Sequence, residues 1–273
     1  MHNDIPLARR DIIALRLEQG QGAVAAALAL EFGVSEDAIR RDLRALAAEG
    51  RCRRVYGGAL PLLPALPLLP ESPASQPIAA RITQDLARKT ALAAAGATLV
   101  QANELVFLDN GSSNLALVAC LPPDCGLTVA TNAVPIAAAV LTRSDLRLIV
   151  VGGAVDAAVG GCVDAQAVAQ VALLNIDRCF LGACAVSASS GIAAFDATDA
   201  LFKRALLAAS HHVAVLVTSD KLGTRAPHRV CALADIGELV VEHDAPAASL
   251  APLEQAGAVL LVASPTSSPF IEE

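Results

Sequence analysis

Between positions 61 and 73 proline recurs at every third residue, as Pro61, Pro64, Pro67, Pro70 and Pro73. Proline lacks a backbone N–H and fixes φ, so a run of this period follows an extended polyproline II path and joins neither a helix interior nor a central strand. The chain on either side must fold separately, joined by a semi-rigid spacer. A ligand for a proline-recognition module is the alternative, but the interleaved leucines suit packing on a neighbouring surface equally well. The 273 residues then divide into a domain at 1–60, a linker at 61–77 and a larger domain at 78–273.

In the first domain the informative stretch is Val34-Ser35-Glu36-Asp37-Ala38-Ile39-Arg40-Arg41-Asp42-Leu43-Arg44-Ala45-Leu46. Ser35 is placed to accept a first-turn N–H, and Glu36 and Asp37 complement the positive end of the helix dipole. At about 100° per residue, Ile39, Leu43, Leu46 and Ala47 share one face, and Arg40, Arg41 and Arg44 project from another. Alone this is equally an amphipathic surface helix with solvated arginines. Its surroundings decide. Residues 9–19 and 23–31 have helical patterns separated by Gly20 and Gly22, and Phe32-Gly33-Val34 supplies the tight turn of a helix-turn-helix. After Gly50, the run Arg51-Cys52-Arg53-Arg54-Val55-Tyr56-Gly57-Gly58-Ala59 has the pattern of a wing, a small hairpin whose arginines straddle a nucleic-acid backbone.

Val34-Ser35-x-x-x-Ile39-Arg40-Arg41-Asp42-Leu43, Leu46-x-x-x-Gly50 and Arg54-Val55-Tyr56-Gly57-Gly58-Ala59 together resemble the DeoR/GlpR family of bacterial transcriptional regulators. The resemblance implies a winged helix-turn-helix that binds a double-stranded DNA operator through Ser35, Ala38, Arg40, Arg41, Arg44, Arg53, Arg54, Tyr56, Gly57 and Gly58. Ala38 stands where the family usually has threonine, one hydroxyl fewer toward DNA.

A net charge of −7 argues at first against a nucleic-acid partner, but the distribution answers that. Residues 1–60 hold nine arginines and eight acids, net +1, leaving eleven basic and nineteen acidic residues, net −8, for the rest. Six of the nine arginines fall between Arg40 and Arg54, a local basic face, while the acidic body disfavours non-specific DNA contact. The apolar content is rich in alanine and implies no membrane. The longest uncharged run, 125–142, contains Gly126, Asn132 and Pro135 and is rejected as a span. No signal-peptide pattern opens the chain, so a cytoplasmic location is expected. Seven cysteines without a C-x-x-C pair, far from any histidine at ligand spacing, are expected as reduced thiols, with no metal.

Beyond the linker, residues 78–103 have the pattern of one long alanine-rich helix with Arg81, Arg88 and Lys89 at polar positions. Short apolar runs then alternate with helical stretches, at 106–108, 127–130, 146–151, 179–181, 213–217, 239–241 and 258–262. This spacing predicts an α/β domain with a doubly wound, mostly parallel sheet covered on both faces. Ligands of such sheets bind beyond the carboxyl ends of the strands. Those ends are polar and glycine-rich: Asp109-Asn110-Gly111-Ser112-Ser113-Asn114, Thr131-Asn132, Gly152-Gly153, Gly182-Ala183 and Thr218-Ser219-Asp220-Lys221. A Gly-Ser-Ser turn entering a helix offers amides, hydroxyls and a positive dipole end to a phosphate, with charge added by Lys221 and Lys203. Asp109 and Asn132 suit sugar hydroxyls.

Asp109-x-Gly111-Ser112-Ser113, Thr131-Asn132, Gly152-Gly153, Lys203-Arg204 and Lys221-x-Gly223 are also similar to motifs of the family's sugar-phosphate-sensing domain, whose fold is like that of ribose-5-phosphate isomerase. The chain departs from them at Asp199, Ala185 and Thr218, where glutamate, glycine and aspartate are usual. The resemblance implies an effector site built from Asp109, Gly111, Ser112, Ser113, Asn114, Thr131, Asn132, Gly152, Gly153, Gly182, Lys203 and Lys221. It implies a repressor of a carbohydrate-metabolism operon, with no cofactor and no catalytic residue. A sugar-phosphate isomerase is the alternative, but Cys179-Phe180-Leu181-Gly182-Ala183-Cys184-Ala185 carries no acid and leaves Asp109 as the best lone base. One short helix reads few bases, so a homo-oligomer, dimer or tetramer, is expected.

Overall fold

The computed structural model describes residues 6–18, 23–49, 51–55, 58–61, 76 and 78–265. The chain separates into two compact units, Met1–Pro70 and Glu71–Glu273. Apart from Pro61 and Gln76, the expected linker lies outside the described residues, as do Tyr56, Gly57 and the glycines at 20, 22 and 50.

The first unit runs α1 (Pro6–Glu18), β1 (Ala23–Val24), α2 (Ala25–Phe32), α3 (Glu36–Ala48), β2 (Cys52–Val55) and β3 (Gly58–Pro61). Its three helices converge on buried Ile13, Leu17, Leu28, Ile39, Leu43 and Leu46. Full burial of such a side chain contributes roughly 1.5–3 kcal/mol, which is what holds a unit this small together. Gly33, at φ 63°, closes α2 in the left-handed conformation, and its N–H bonds back to the Ala29 and Leu30 carbonyls. The hairpin β2–β3 has the pattern expected of a wing, but β1 was not foreseen. Ala23 and Val24, expected as helix, instead pair antiparallel with β3, Ala23 opposite Ala59. Gly58 permits that pairing, because a Cβ there would sit 2.1 Å from the Ala23 carbonyl oxygen.

The second unit opens with α4 (Ile78–Arg81) and α5 (Leu86–Ala97), followed by β4 (Leu105–Leu108), α6 (Ser112–Cys120), β5 (Thr128–Thr131), α7 (Val134–Val140) and β6 (Arg147–Val150). Next come β7 (Val155–Asp156), β8 (Gly161–Cys162), α8 (Ala165–Val171), β9 (Ile176–Phe180), β10 (Ala185–Ser187), β11 (Gly191–Ala194) and α9 (Ala197–Ala208). The unit ends with β12 (Ser210–Val217), β13 (His228–Cys231), β14 (Glu238–Val241), α10 (Ala247–Gln255) and β15 (Leu260–Val262). Seven strands form one sheet in the order β15-β14-β12-β9-β4-β5-β6, every pair parallel. Strand periodicity sorts the interior in two. Val106, Leu108, Phe180, Leu216 and Val240 pack on one face, and Phe107, Cys179, Val215, Leu239 and Val241 on the other. The inner strands are largely buried on both faces, the requirement for a parallel sheet, while the edge strands β6 and β15 are partly exposed.

Two expectations fail in this unit. The single helix over 78–103 is broken at 82–85, with Asp85 at φ 50°, and ends at Ala97. Thr83 and Asp85 are poor helix-interior residues, and Lys89 donates to the carbonyls of Arg81 and Gln84 at the break. The chain also builds a small antiparallel sheet, β10-β11-β13, and a β7–β8 pair that its strand pattern did not announce. Cys52, Cys162, Cys179 and Cys231 are buried.

Candidate functional site

The chain runs outward from β4 through β5 to β6, then returns to lay β9 against the other side of β4. A crevice opens at such a reversal, beyond the carboxyl ends of the two central strands. An open cleft lies there, lined among others by Gly111, Ser112, Ser113, Asn114, Gly182, Lys203 and Lys221.

Its floor is a buried charge cluster. Asp109 follows β4 directly and is fully buried; its Oδ2 accepts from the Gly182 N–H at 2.8 Å and from Lys203 Nζ at 2.5 Å. Lys203 Nζ also donates to Asn110 Oδ1 at 3.0 Å and lies 3.1 Å from Asp199 Oδ1, which accepts from Asn110 Nδ2 at 3.0 Å. Burial opposes charge on Lys203, but Asp109 and Asp199 outweigh it and hold the ammonium above the ordinary lysine range. Burial also raises the Asp109 carboxyl, while Lys203 and the Gly182 amide pull it back. The cluster leaves Asp109 Oδ1 without a hydrogen bond. Gly182 is obligatory for this approach, since a Cβ there would lie 2.3 Å from the Asn110 carbonyl oxygen.

The anion-binding end is built differently. Gly111 is the N-cap of α6 and offers no side-chain acceptor, so the first-turn amides of Ser112, Ser113 and Asn114 carry no side-chain cap. The Ser113 hydroxyl is buried without a partner. Lys221 is only 9% exposed, and among the described residues no carboxylate or hydrogen-bond acceptor meets its ammonium. Burial holds that ammonium below the ordinary lysine range; Cys184 and Asp220 oppose the effect, and the charges of Arg81 and Lys89 add to it. Helix amides, a hydroxyl without a hydrogen bond and a cation outside any ion pair among the described residues thus converge on one volume, the donor set a phosphoryl group requires.

The expected residues do not all gather there. Thr131 is buried and committed, donating to the Leu108 carbonyl at 2.7 Å and accepting from Ala133 N–H at 3.1 Å. Asn132 donates to the Cys162 carbonyl at 3.1 Å. Gly152 exchanges hydrogen bonds with the Gln170 amide, and Gly153, at φ 153°, packs against Asp164. These four lie away from the cleft lining and brace the β5 and β6 ends. Conversely, Gln76, Arg81, Asn110, Cys184, Phe195, Asp196 and Asp199 line the cleft without having been expected there. Asn110 sits in the same loop as the expected residues, and Asp196 had a signal as the N-cap of α9, accepting from the Thr198 and Asp199 amides. Arg81 was hidden by the helix break.

In the first unit, Ser35 Oγ accepts from the Ala38 N–H at 3.3 Å, so α3 starts where its capping residue places it. Ile39, Leu43 and Leu46 are buried, and Arg40, Arg41 and Arg44 are exposed. Arg40 is paired with Glu36 at 2.8 Å, an exposed contact that is weak and readily exchanged for a phosphate. Arg41 Nε reaches only the Asp37 carbonyl, at 3.4 Å. Buried Arg9 ties α1 to α3 through Asp42 at 2.7 Å. Arg53 and Arg54 lie on β2, and Gly58 opens β3.

Residues 84–243 match the DeoR C terminal sensor domain, and residues 8–62 match the DeoR-like helix-turn-helix domain. The chain belongs to the DeoR family. As a DeoR-family chain it is a DNA-binding transcriptional regulator. It is 30% identical to the HTH-type transcriptional regulator YgbI of Escherichia coli over 260 residues, 95% of this chain and 98% of the relative. It is 27% identical to the glycerol-3-phosphate regulon repressor of Escherichia coli over 213 residues, 78% of this chain and 81% of that protein. Among solved structures, ribose 5 phosphate isomerase A from Neisseria gonorrhoeae aligns over 51% of this chain and 54% of its own at 12% identity, with a TM-score of 0.38. Among the described residues no helix is long and apolar enough to cross a membrane.

Proposed function

We propose that this DeoR-family chain is a cytoplasmic repressor of a carbohydrate-metabolism operon, and that a phosphorylated sugar in the cleft sets its affinity for operator DNA. The carrying observation is Lys221, a buried lysine that among the described residues makes no ion pair, facing the same cleft as the uncapped amides of α6. A buried charge in this state is costly until an anion arrives. The phosphoryl group is assigned to Ser112, Ser113 and Lys221, and the sugar hydroxyls to Asn110 and Asp199. The relationship to a glycerol-3-phosphate regulon repressor supports the same class of ligand.

The isomerase alternative fares worse on the geometry. A general base must be free to take a proton at the substrate carbon. Asp109 is fully buried beneath the cleft and is absent from its lining, and its Oδ2 is committed to Lys203 and the Gly182 amide. Purified protein is expected to leave pentose phosphates unconverted while a phosphorylated sugar raises its melting temperature, since a ligand that binds only the folded state stabilises it. Ser112→Ala combined with Lys221→Ala should remove that shift and leave DNA affinity intact; an unchanged shift places the ligand elsewhere.

On the DNA side, exposed Arg41 and Arg44 are assigned to base edges and phosphates, with Ser35 and the wing positioning the helix. Arg41→Ala should weaken operator binding by about 1–3 kcal/mol if the guanidinium reads a base edge. Titration against specific and unrelated duplexes checks it, and equal affinity of mutant and parent on both would reject α3 as the reading helix.

A further inference from the structure

The broken helix puts the stretch that leads in from the spacer onto the wall of the cleft. Gln76 and Arg81 both line it, and beyond Arg81 the chain turns through residues 82–85 before α5 begins. This strap is fastened at several points. Arg81 Nε donates to the Gln76 carbonyl at 2.9 Å, Gln84 Nε2 to Gln76 Oε1 at 3.0 Å, and Lys89 to the carbonyls of Arg81 and Gln84. Its other side rests on the turn before β8. The Ile78 N–H bonds to the Ala158 carbonyl at 3.3 Å, and a Cβ on Gly160 would lie 2.3 Å from Ile78 Cγ2. Ala158 and Val159 of that turn line the cleft as well.

Arg81 has an unmet need of its own. No carboxylate lies within ion-pair reach of its guanidinium among the described residues, and burial holds it below the ordinary arginine range. Arg81 also lines a smaller adjoining recess with Lys89, Ser112 and Lys221, where Asp85 and Asp220 offset part of the positive charge. An anion seated on the α6 amides would therefore have a third cation available on a segment that is covalently continuous with the spacer. A ligand changes a distant affinity only through contacts that differ between two states of the protein, and a charged strap satisfied by the ligand is such a contact.

We propose that Gln76 and residues 78–85 form the element that reports ligand occupancy to the DNA-binding unit, with Arg81 as its positioning residue. This rests on the cleft assignment above and goes beyond it: Lys221 and α6 hold the anion, while Arg81 converts its presence into order in the strap. Lys89 fastens the strap from behind, where it does not line the main cleft.

Amide hydrogen exchange with inorganic phosphate as the probe tests this, read alongside the melting temperature. Phosphate should raise the melting temperature of the parent protein and slow exchange at Ile82 and Gln84, whose N–H groups bond to the Ile78 and Arg81 carbonyls, by about tenfold. In Arg81→Gln the melting shift should persist through Ser112, Ser113 and Lys221, and the slowing at Ile82 and Gln84 should vanish. Lys89→Met should bind a duplex selected from a random library as tightly as the parent, within about twofold, and lose the phosphate dependence of that binding. A parent melting shift without slowing in the strap, or an Arg81→Gln variant whose strap slows like the parent's, would overturn the proposal and leave the cleft assignment standing. Absence of any melting shift in the parent would overturn the cleft assignment itself, and this proposal with it.

Discussion

Lys203 and Lys221 are two buried lysines treated oppositely by their surroundings, and stability measurements should separate them. Lys203 is neutralised by Asp109 and Asp199; Lys203→Met would strand Asp109 as a buried charge and should cost about 3–5 kcal/mol in urea unfolding. Lys221 has no such partner, so Lys221→Met should stabilise the ligand-free protein by about 1 kcal/mol while removing its response to phosphate. The pH dependence carries the same signature. A lysine held below its ordinary value of 10.5 binds fewer protons folded than unfolded, so its penalty shrinks as pH rises from the depressed value toward 10.5. Lys203, held above that value, contributes stability that is complete below 10.5 and lost as pH climbs past it. Alkaline stability curves of the two methionine variants should therefore differ from the parent in opposite directions.

At the scale of elements, α3 shows how far local signals reach. Its start, its buried stripe and its arginine face were all legible, because a capping serine, two acids and a period of 3.6 agree with one another. Ser35→Ala should lower the stability of the first unit by about 1 kcal/mol, measurable in thermal unfolding, with α3 otherwise intact. The seven parallel strands were legible for a similar reason: short apolar runs stand out against polar turns. What escaped was decided by tertiary contact. The two residues of β1 pair only because β3 arrives beside them, and α4 parts from α5 although the alanine-rich composition favours continuity. Asp85 in the left-handed region is a local cost that the Lys89 contacts offset, and nothing in a linear pattern weighs one against the other. The cleft was foreseen at its glycine and serine turns. Thr131, Asn132, Gly152 and Gly153 looked alike in sequence but belong to strand ends away from the reversal between β4 and β9.

For the whole molecule, the uneven charge has a measurable consequence. A head of net +1 carried by a body of net −8 should bind DNA through few phosphate contacts per copy, so useful affinity requires paired heads on half-sites about one helical turn, or a multiple, apart. Binding measured against salt should give a logarithmic slope of about −0.9 for each phosphate contacted, and footprinting should show the repeat. A single protected half-site with a single-copy complex would contradict this. The contact between Gly182 and the loop after β4 carries a further implication for engineers. With 2.3 Å separating the position of any added methyl from the Asn110 oxygen, the floor cannot be remodelled by enlarging residue 182. Biosensor variants tuned to new metabolites will have to come from the rim, at Val159, Cys184 and Phe195, where side-chain volume is still negotiable.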